Sequence, residues 1–172
     1  MGIKDRIIVQ DNFFKRNTLK KIHSEISTLR FSNRFIGDPN KNVYQRIYFN
    51  FPLNEEHFSF PEILNNLKKN IKEDLVLKEN AYFLSTHHKG STAHNDSCFD
   101  VNCLIYLKGD HLINSGTGFY DKFDKNYVLN SHIGFKENRA IIFDSKIYHG
   151  SLQFALNSSK RYVMVNFFNY KK

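Results

Sequence analysis

The chain has 172 residues, 41% of them hydrophobic, with 17 Phe and 9 Tyr, which is enough apolar material for one sizeable core; a disordered tail is excluded and a single domain over residues 1–172 is expected. No apolar run approaches the roughly 20 residues that span a bilayer, and charges interrupt the apolar start MGIKDRIIVQDNFF, so neither a membrane span nor a signal peptide is read and a cytosolic location is expected. The formal charge of +8 is carried by residues 1–50, with ten basic against four acidic side chains, and by residues 101–172, with ten against five; no basic run exceeds two residues, so a soluble lysine-rich surface is favoured over a nucleic-acid partner.

In chain order, DRIIVQ at 5–10 reads as a short strand, and LKKIHSEISTLR places Leu19, Ile22, Ile26 and Leu29 at helical spacing. The Gly, Pro and Asn content of RFSNRFIGDPNKN predicts a loop, and VYQRIYFNF a strand. A second helix is predicted in SFPEILNNLKKNIKEDLVL, where Ser59 and Glu62 have capping-box spacing, Pro61 sits in the first turn, and Leu64, Leu67, Ile71 and Leu75 carry the apolar stripe.

From residue 80 the texture changes. AYFLST, VNCLIYL, TGFYDKF, SHIGF, RAIIFD, IYHGSLQF and RYVMVNFFNY are short, aromatic and β-branched, and turn-like clusters separate them. Two helices followed by many short strands predict an α+β, mainly β, chain: a double-sheet structure with the helices on one sheet. Cys98 and Cys103 form neither a CxxC pair nor a disulfide framework and are expected to be reduced thiols.

The chemistry is concentrated in His94-Asn95-Asp96, where a polar loop enters the strand VNCLIYL. In extended backbone, residues i and i+2 point to one side, so His94 and Asp96 can reach one ion. Two histidines and a carboxylate hold Fe(II) on one face and leave positions open for a co-substrate and O2, and His149 in IIFDSKIYHGS is the candidate third ligand. Arg161 opens the last strand, with Val163, Val165 and Phe167 on its face by alternation, while Lys160 should point away. Taken singly, each of these residues reads more readily as a solvated turn, a satisfied core group or half of an ion pair; the set, in this order, does not. His87 and His88 read as exposed, and His111 and His132 as residues of turns.

On these residues the chain resembles the 2-oxoglutarate- and Fe(II)-dependent oxygenases of the prolyl-4-hydroxylase-like branch. IIVQDNFF with its helix, HND, CLIYL, SGTGFYDKF, RAIIFDSKIYHGS and RYVMVNFF keep that family's order over most of the chain. The resemblance implies a double-stranded β-helix (jelly-roll) core, His94, Asp96 and His149 as iron ligands, and Arg161 with Tyr106 binding the distal carboxylate of 2-oxoglutarate. It implies hydroxylation of a C–H bond using O2, with a protein or peptide residue of prolyl type as the first substrate class and a small amino-acid-like molecule second. Two departures stand out. The interval from His149 to Arg161 is long, and Val165 stands where a hydroxyl residue is common. The rival reading is a non-catalytic jelly-roll binding or assembly module with a structural or vestigial metal, and Arg161 and Tyr106 discriminate against it, because a structural metal needs no carboxylate anchor.

Overall fold

The computed structural model describes residues 3–29, 32–35, 46–78, 82–86, 93–111, 115–152 and 161–171. Two helices, α1 (Arg16–Thr28) and α2 (Phe60–Lys68), accompany β1 (Ile7–Gln10), β2 (Ser32–Phe35), β3 (Arg46–Pro52), β4 (Leu75–Leu77), β5 (Tyr82–Thr86), β6 (Val101–Lys108), β7 (Gly116–Phe123), β8 (Asn126–Gly134), β9 (Arg139–Asp144), β10 (Tyr148–Leu152) and β11 (Arg161–Tyr170). The large sheet runs β1-β9-β6-β11-β5-β3-β2, with β4 also on β11, and the small one β10-β7-β8; every pairing between these strands is antiparallel.

The central strands of the large sheet are buried on both faces, which is why they read as nearly continuous apolar runs. Val101, Cys103, Ile105 and Leu107 of β6, Ala140 and Ile142 of β9 and Met164 and Phe168 of β11 share one core with Ile22 and Ile26 of α1 and Phe60, Ile63 and Leu67 of α2. The alternate residues, Tyr106, Ile141, Phe143, Val163, Val165 and Phe167, form a second core with Phe119 of the small sheet. A one-residue slip of any of these strands would exchange the two cores, so register is strongly specified. No helix among the described residues is long and apolar enough to cross a membrane.

Several expectations need correction. The predicted loop contains strand β2, paired with β3 from Ser32↔Phe49 to Phe35↔Arg46; the rest of it, 30–31 and 36–42, lies outside the described residues, as do His87, His88 and Lys160. The capping box does not form. Ser59 has helical φ/ψ of −82°/−16°, its hydroxyl is engaged by His57 Nδ1 at 2.7 Å, and Glu62 Oε1 accepts from the Lys15 backbone N–H at 2.6 Å. His57 Nε2 in turn meets Glu25 Oε2 at 2.9 Å, tying α1 to the start of α2. Helix α2 stops at Lys68 and buries Ile63 rather than Leu64. Leu75 belongs to β4, because pairing with Phe168–Tyr170 supplies backbone hydrogen bonds that override its local helical propensity. His132 lies inside β8, opposite Gly118, and not in a turn.

The N-terminal strand is pinned by charge. Arg139 donates to both oxygens of Asp11, at 2.6 and 3.1 Å, and Lys136 Nζ reaches Oδ2 at 2.7 Å. These hydrogen bonds from Arg139 and Lys136 hold the Asp11 carboxyl down from 3.8 to about 2. A folded-state pKa below the unfolded value stabilises above the unfolded pKa, and the gain disappears as pH falls through the folded one. Wild type is therefore expected to melt above Asp11→Asn at pH 5, with the gap closing between pH 3.8 and about 2; thermal scans across that range check it, and a gap independent of pH would contradict it.

Candidate metal centre

The site begins with a pair of histidines held by their backbones. His94 and His149 form an isolated antiparallel bridge, with N–H···O distances of 2.9 and 2.8 Å in the two directions. Their rings lie 4.6 Å apart, centroid to centroid. Asp96 is placed by its own N–H, which donates to the Ser145 carbonyl at 2.8 Å. One ligand atom each from His94, Asp96 and His149 falls within 4.8 Å of the others, and Asp96 Oδ2 is 3.3 Å from His149 Nε2.

This donor set fits a divalent transition metal. His149 sits 5% exposed on β10 against the Phe143 ring, and its Nδ1–H donates to the Ile147 carbonyl at 3.0 Å, which leaves Nε2 as the ring atom available to a metal. The backbone bond thus selects the ligating tautomer. Burial pushes the Asp96 carboxyl up, but the hydrogen bond and charge of His149, the charge of His94 and the Asn102 amide outweigh it, and the group is held below its ordinary value. A carboxylate that stays ionised beside two neutral-capable imidazoles is what a hard-to-borderline cation needs.

The second half of the site is built around Arg161, which is 3% exposed. Its Nη1 donates to the carbonyls of Gly116 at 2.7 Å and Leu152 at 3.3 Å and to Ser115 Oγ at 3.4 Å, spanning β7 and β10 where Leu152 pairs with Gly116. Burial works against its charge, and the Tyr106 phenol opposes that effect. The guanidinium lies 5.5 Å from the centroid of the Tyr106 ring. The Tyr106 hydroxyl is 2.6 Å from Thr117 Oγ1 and 3.4 Å from the Ile133 carbonyl, and burial raises its pKa, so it stays a neutral donor. Thr117 thereby brings a hydroxyl beside Tyr106 from β7, whereas β11 has only Val165 to offer.

Four polar residues of this region have no motif to announce them: Asn102, Ser115, Thr117 and Ser145 are all buried. A polar residue at an inward position of VNCLIYL was the one available signal, and it points to Asn102. His132, exposed on β8, stands beside them; partial desolvation and the charge of Arg161 lower its pKa, while its bond to the Ser115 backbone raises it. The close packing here is set by Gly116, on which a Cβ would collide with the Ile133 carbonyl oxygen and His132 Nε2. Gly116→Ala is expected to cost about 1–3 kcal/mol or more through this overpacking, read as a lower urea midpoint; an unchanged midpoint would mean that β8 gives way freely.

No protein-family model matches this sequence, and no curated protein does. Solved structures do. The non-heme α-ketoglutarate-dependent epimerase SnoN from nogalamycin biosynthesis superposes with a TM-score of 0.71 at 8% identity, over 96% of this chain and 81% of that one. This chain has the fold of the 2-oxoglutarate/Fe(II) oxygenases. Within that fold, an oxidoreductase of the 2OG-Fe(II) oxygenase family from Burkholderia pseudomallei matches at a TM-score of 0.67 and 11% identity, over 95% and 84% of the two chains. A prolyl-4-hydroxylase from Pseudomonas putida matches at 0.61 and 12%, over 96% and 93%. At such identities the likeness is one of fold, and the two sheets with helices on the larger are the jelly-roll core expected from the strand pattern.

Proposed function

We propose that this chain is an Fe(II)- and 2-oxoglutarate-dependent dioxygenase that hydroxylates its substrate, with a protein or peptide residue of prolyl type the first candidate and a small amino-acid-like molecule the second. One observation carries the reading: the His94/Asp96/His149 cluster and the buried Arg161 are joined by one strand pair. His149 faces Phe119 at one point of β10, and Leu152, whose carbonyl accepts from Arg161, lies three positions along, paired with Gly116. Three residues of strand cover about 10 Å, a gap suited to a short dicarboxylate held by a metal at one end and a guanidinium at the other. A structural metal has no use for such an anchor.

Iron with 2-oxoglutarate and O2 would supply the oxidising chemistry, with succinate and CO2 as by-products. The chain's own residues bind and orient. Arg161 would present its planar fork to the distal carboxylate, with the Tyr106 hydroxyl as a further donor. Phe119, Phe143, Val163, Val165 and Phe167 line the core between the sheets and keep water from this region. A reducing compartment suits both ferrous iron and the free Cys98 and Cys103.

Fold relatives also support the pairing of metal and co-substrate: HygX from Streptomyces hygroscopicus is solved with nickel, 2-oxoglutarate and hygromycin B, and SnoN with Fe3+, α-ketoglutarate and nogalamycin RO. Their ligands keep the small-molecule class in view, and one scaffold serves many substrates. The test is mass spectrometry of candidate peptides and amino-acid-like compounds for a gain of one oxygen, matched to succinate release. Succinate formed only with both iron and 2-oxoglutarate present is expected; 2-oxoglutarate left unconsumed across the whole set would count against the enzyme.

A further inference from the structure

Asn102 is a polar side chain with 0% exposure on β6, opposite Phe143 of β9 on one side and Phe167 of β11 on the other. An amide there costs folding free energy unless its bonds are made. It makes them in a directed chain: Ser145 Oγ donates to Asn102 Oδ1 at 2.7 Å, and Asn102 Nδ2 donates to Asp96 Oδ2 at 2.6 Å. Ser145 is itself fully buried in the turn between β9 and β10, and its carbonyl accepts the Asp96 N–H at 2.8 Å.

The direction of this chain follows from chemistry. An ionised carboxylate only accepts, so the NH2 end of the amide must face Asp96. That leaves Oδ1 for the Ser145 hydroxyl, which holds the amide in this sense and opposes its flip. Flipping would set the amide oxygen against the carboxylate, two acceptors without a proton between them. Asp96 is thus fixed at two points by one residue pair, its backbone by the Ser145 carbonyl and its carboxylate by the amide that Ser145 orients.

We infer that Asn102 and Ser145 are positioning residues that hold the Asp96 carboxylate in its metal-binding orientation. The inference rests on the metal reading above and adds to it two residues from outside the ligand motif. Asn102 acts on the ligand, and Ser145 acts on Asn102. Their contributions are therefore not independent: once the amide is gone, the hydroxyl has nothing to orient.

The test is a Co(II) titration of the full chain, followed by calorimetry and by the visible d–d absorption of the bound ion, for wild type, Asn102→Ala, Ser145→Ala, the double variant and His149→Ala. Asn102→Ala is expected to bind Co(II) about 10–100-fold more weakly, the range for loss of a supporting hydrogen bond to a ligand, with an altered d–d spectrum at saturation. Ser145→Ala should show a smaller loss, and the double variant should bind no more weakly than Asn102→Ala. Wild-type affinity and spectrum in Asn102→Ala, or losses that simply add in the double variant, would overturn the inference. If Asn102→Ala fails to fold, Ser145→Ala decides alone, since it removes one hydroxyl: an unaltered affinity and spectrum overturns the role. A wild type that binds Co(II) no better than His149→Ala would instead overturn the metal reading, and this inference with it.

Discussion

Arg161→Ala is expected to lose 2-oxoglutarate affinity by roughly 30- to 4,000-fold, the equivalent of about 2–5 kcal/mol for removing one partner of a buried, hydrogen-bonded charge pair. Metal affinity should hold, because the guanidinium contacts Gly116, Leu152 and Ser115 and not the His94/Asp96/His149 cluster. The substitution also strips a donor from two backbone carbonyls, so a stability loss of about 1–3 kcal/mol accompanies it. Arg161→Lys separates the two effects. It keeps the charge but loses the planar fork, and is expected to restore stability more fully than co-substrate affinity. Calorimetric titration of 2-oxoglutarate with metal bound, beside urea denaturation of each variant, checks the pair; equal 2-oxoglutarate affinity in wild type and Arg161→Ala would remove Arg161 from the site.

His149→Ala is expected to weaken metal binding by more than the about 100-fold that marks the upper end for a lost supporting hydrogen bond, since here a ligand itself disappears. The variant also leaves the Ile147 carbonyl and the Phe143 ring without their contact, so its apo melting temperature should fall as well. Far-UV circular dichroism of the apo chain separates ligand loss from unfolding. A folded His149→Ala that binds Co(II) as wild type does would show that the ion is held elsewhere.

The run of short strands and the shared side of His94 and Asp96 were legible because they follow from short-range rules, whereas the meeting of His94 with His149, 55 positions away, and the role of Arg161 were expected only from the family resemblance. Alternation sends i and i+2 to one face, and RYVMVNFF puts Arg161, Val163, Val165 and Phe167 on one side, where all four are buried. The supporting residues were not legible in the same way. Asn102 and Ser145 are 43 positions apart and Tyr106 and Thr117 11, and each bond depends on how separate strands come together. Local helix signals failed where tertiary partners competed. His57 engaged the Ser59 hydroxyl, the Lys15 backbone took Glu62, and β11 drew Leu75–Leu77 into the sheet. Strand β2 carries no local signal, because SNRF has little β propensity of its own and is specified by its pairing with β3.

The proposed site holds a metal through His94, Asp96 and His149 and 2-oxoglutarate through Arg161. Anaerobic addition of Fe(II) and then 2-oxoglutarate to the full chain tests it most directly, because chelation of the iron by the co-substrate produces a weak visible charge-transfer band. Wild type should develop that band, His149→Ala should not, and Arg161→Ala should need far more 2-oxoglutarate to reach it. A wild-type spectrum that stays featureless at saturating concentrations of both would mean that this chain does not bring iron and 2-oxoglutarate together.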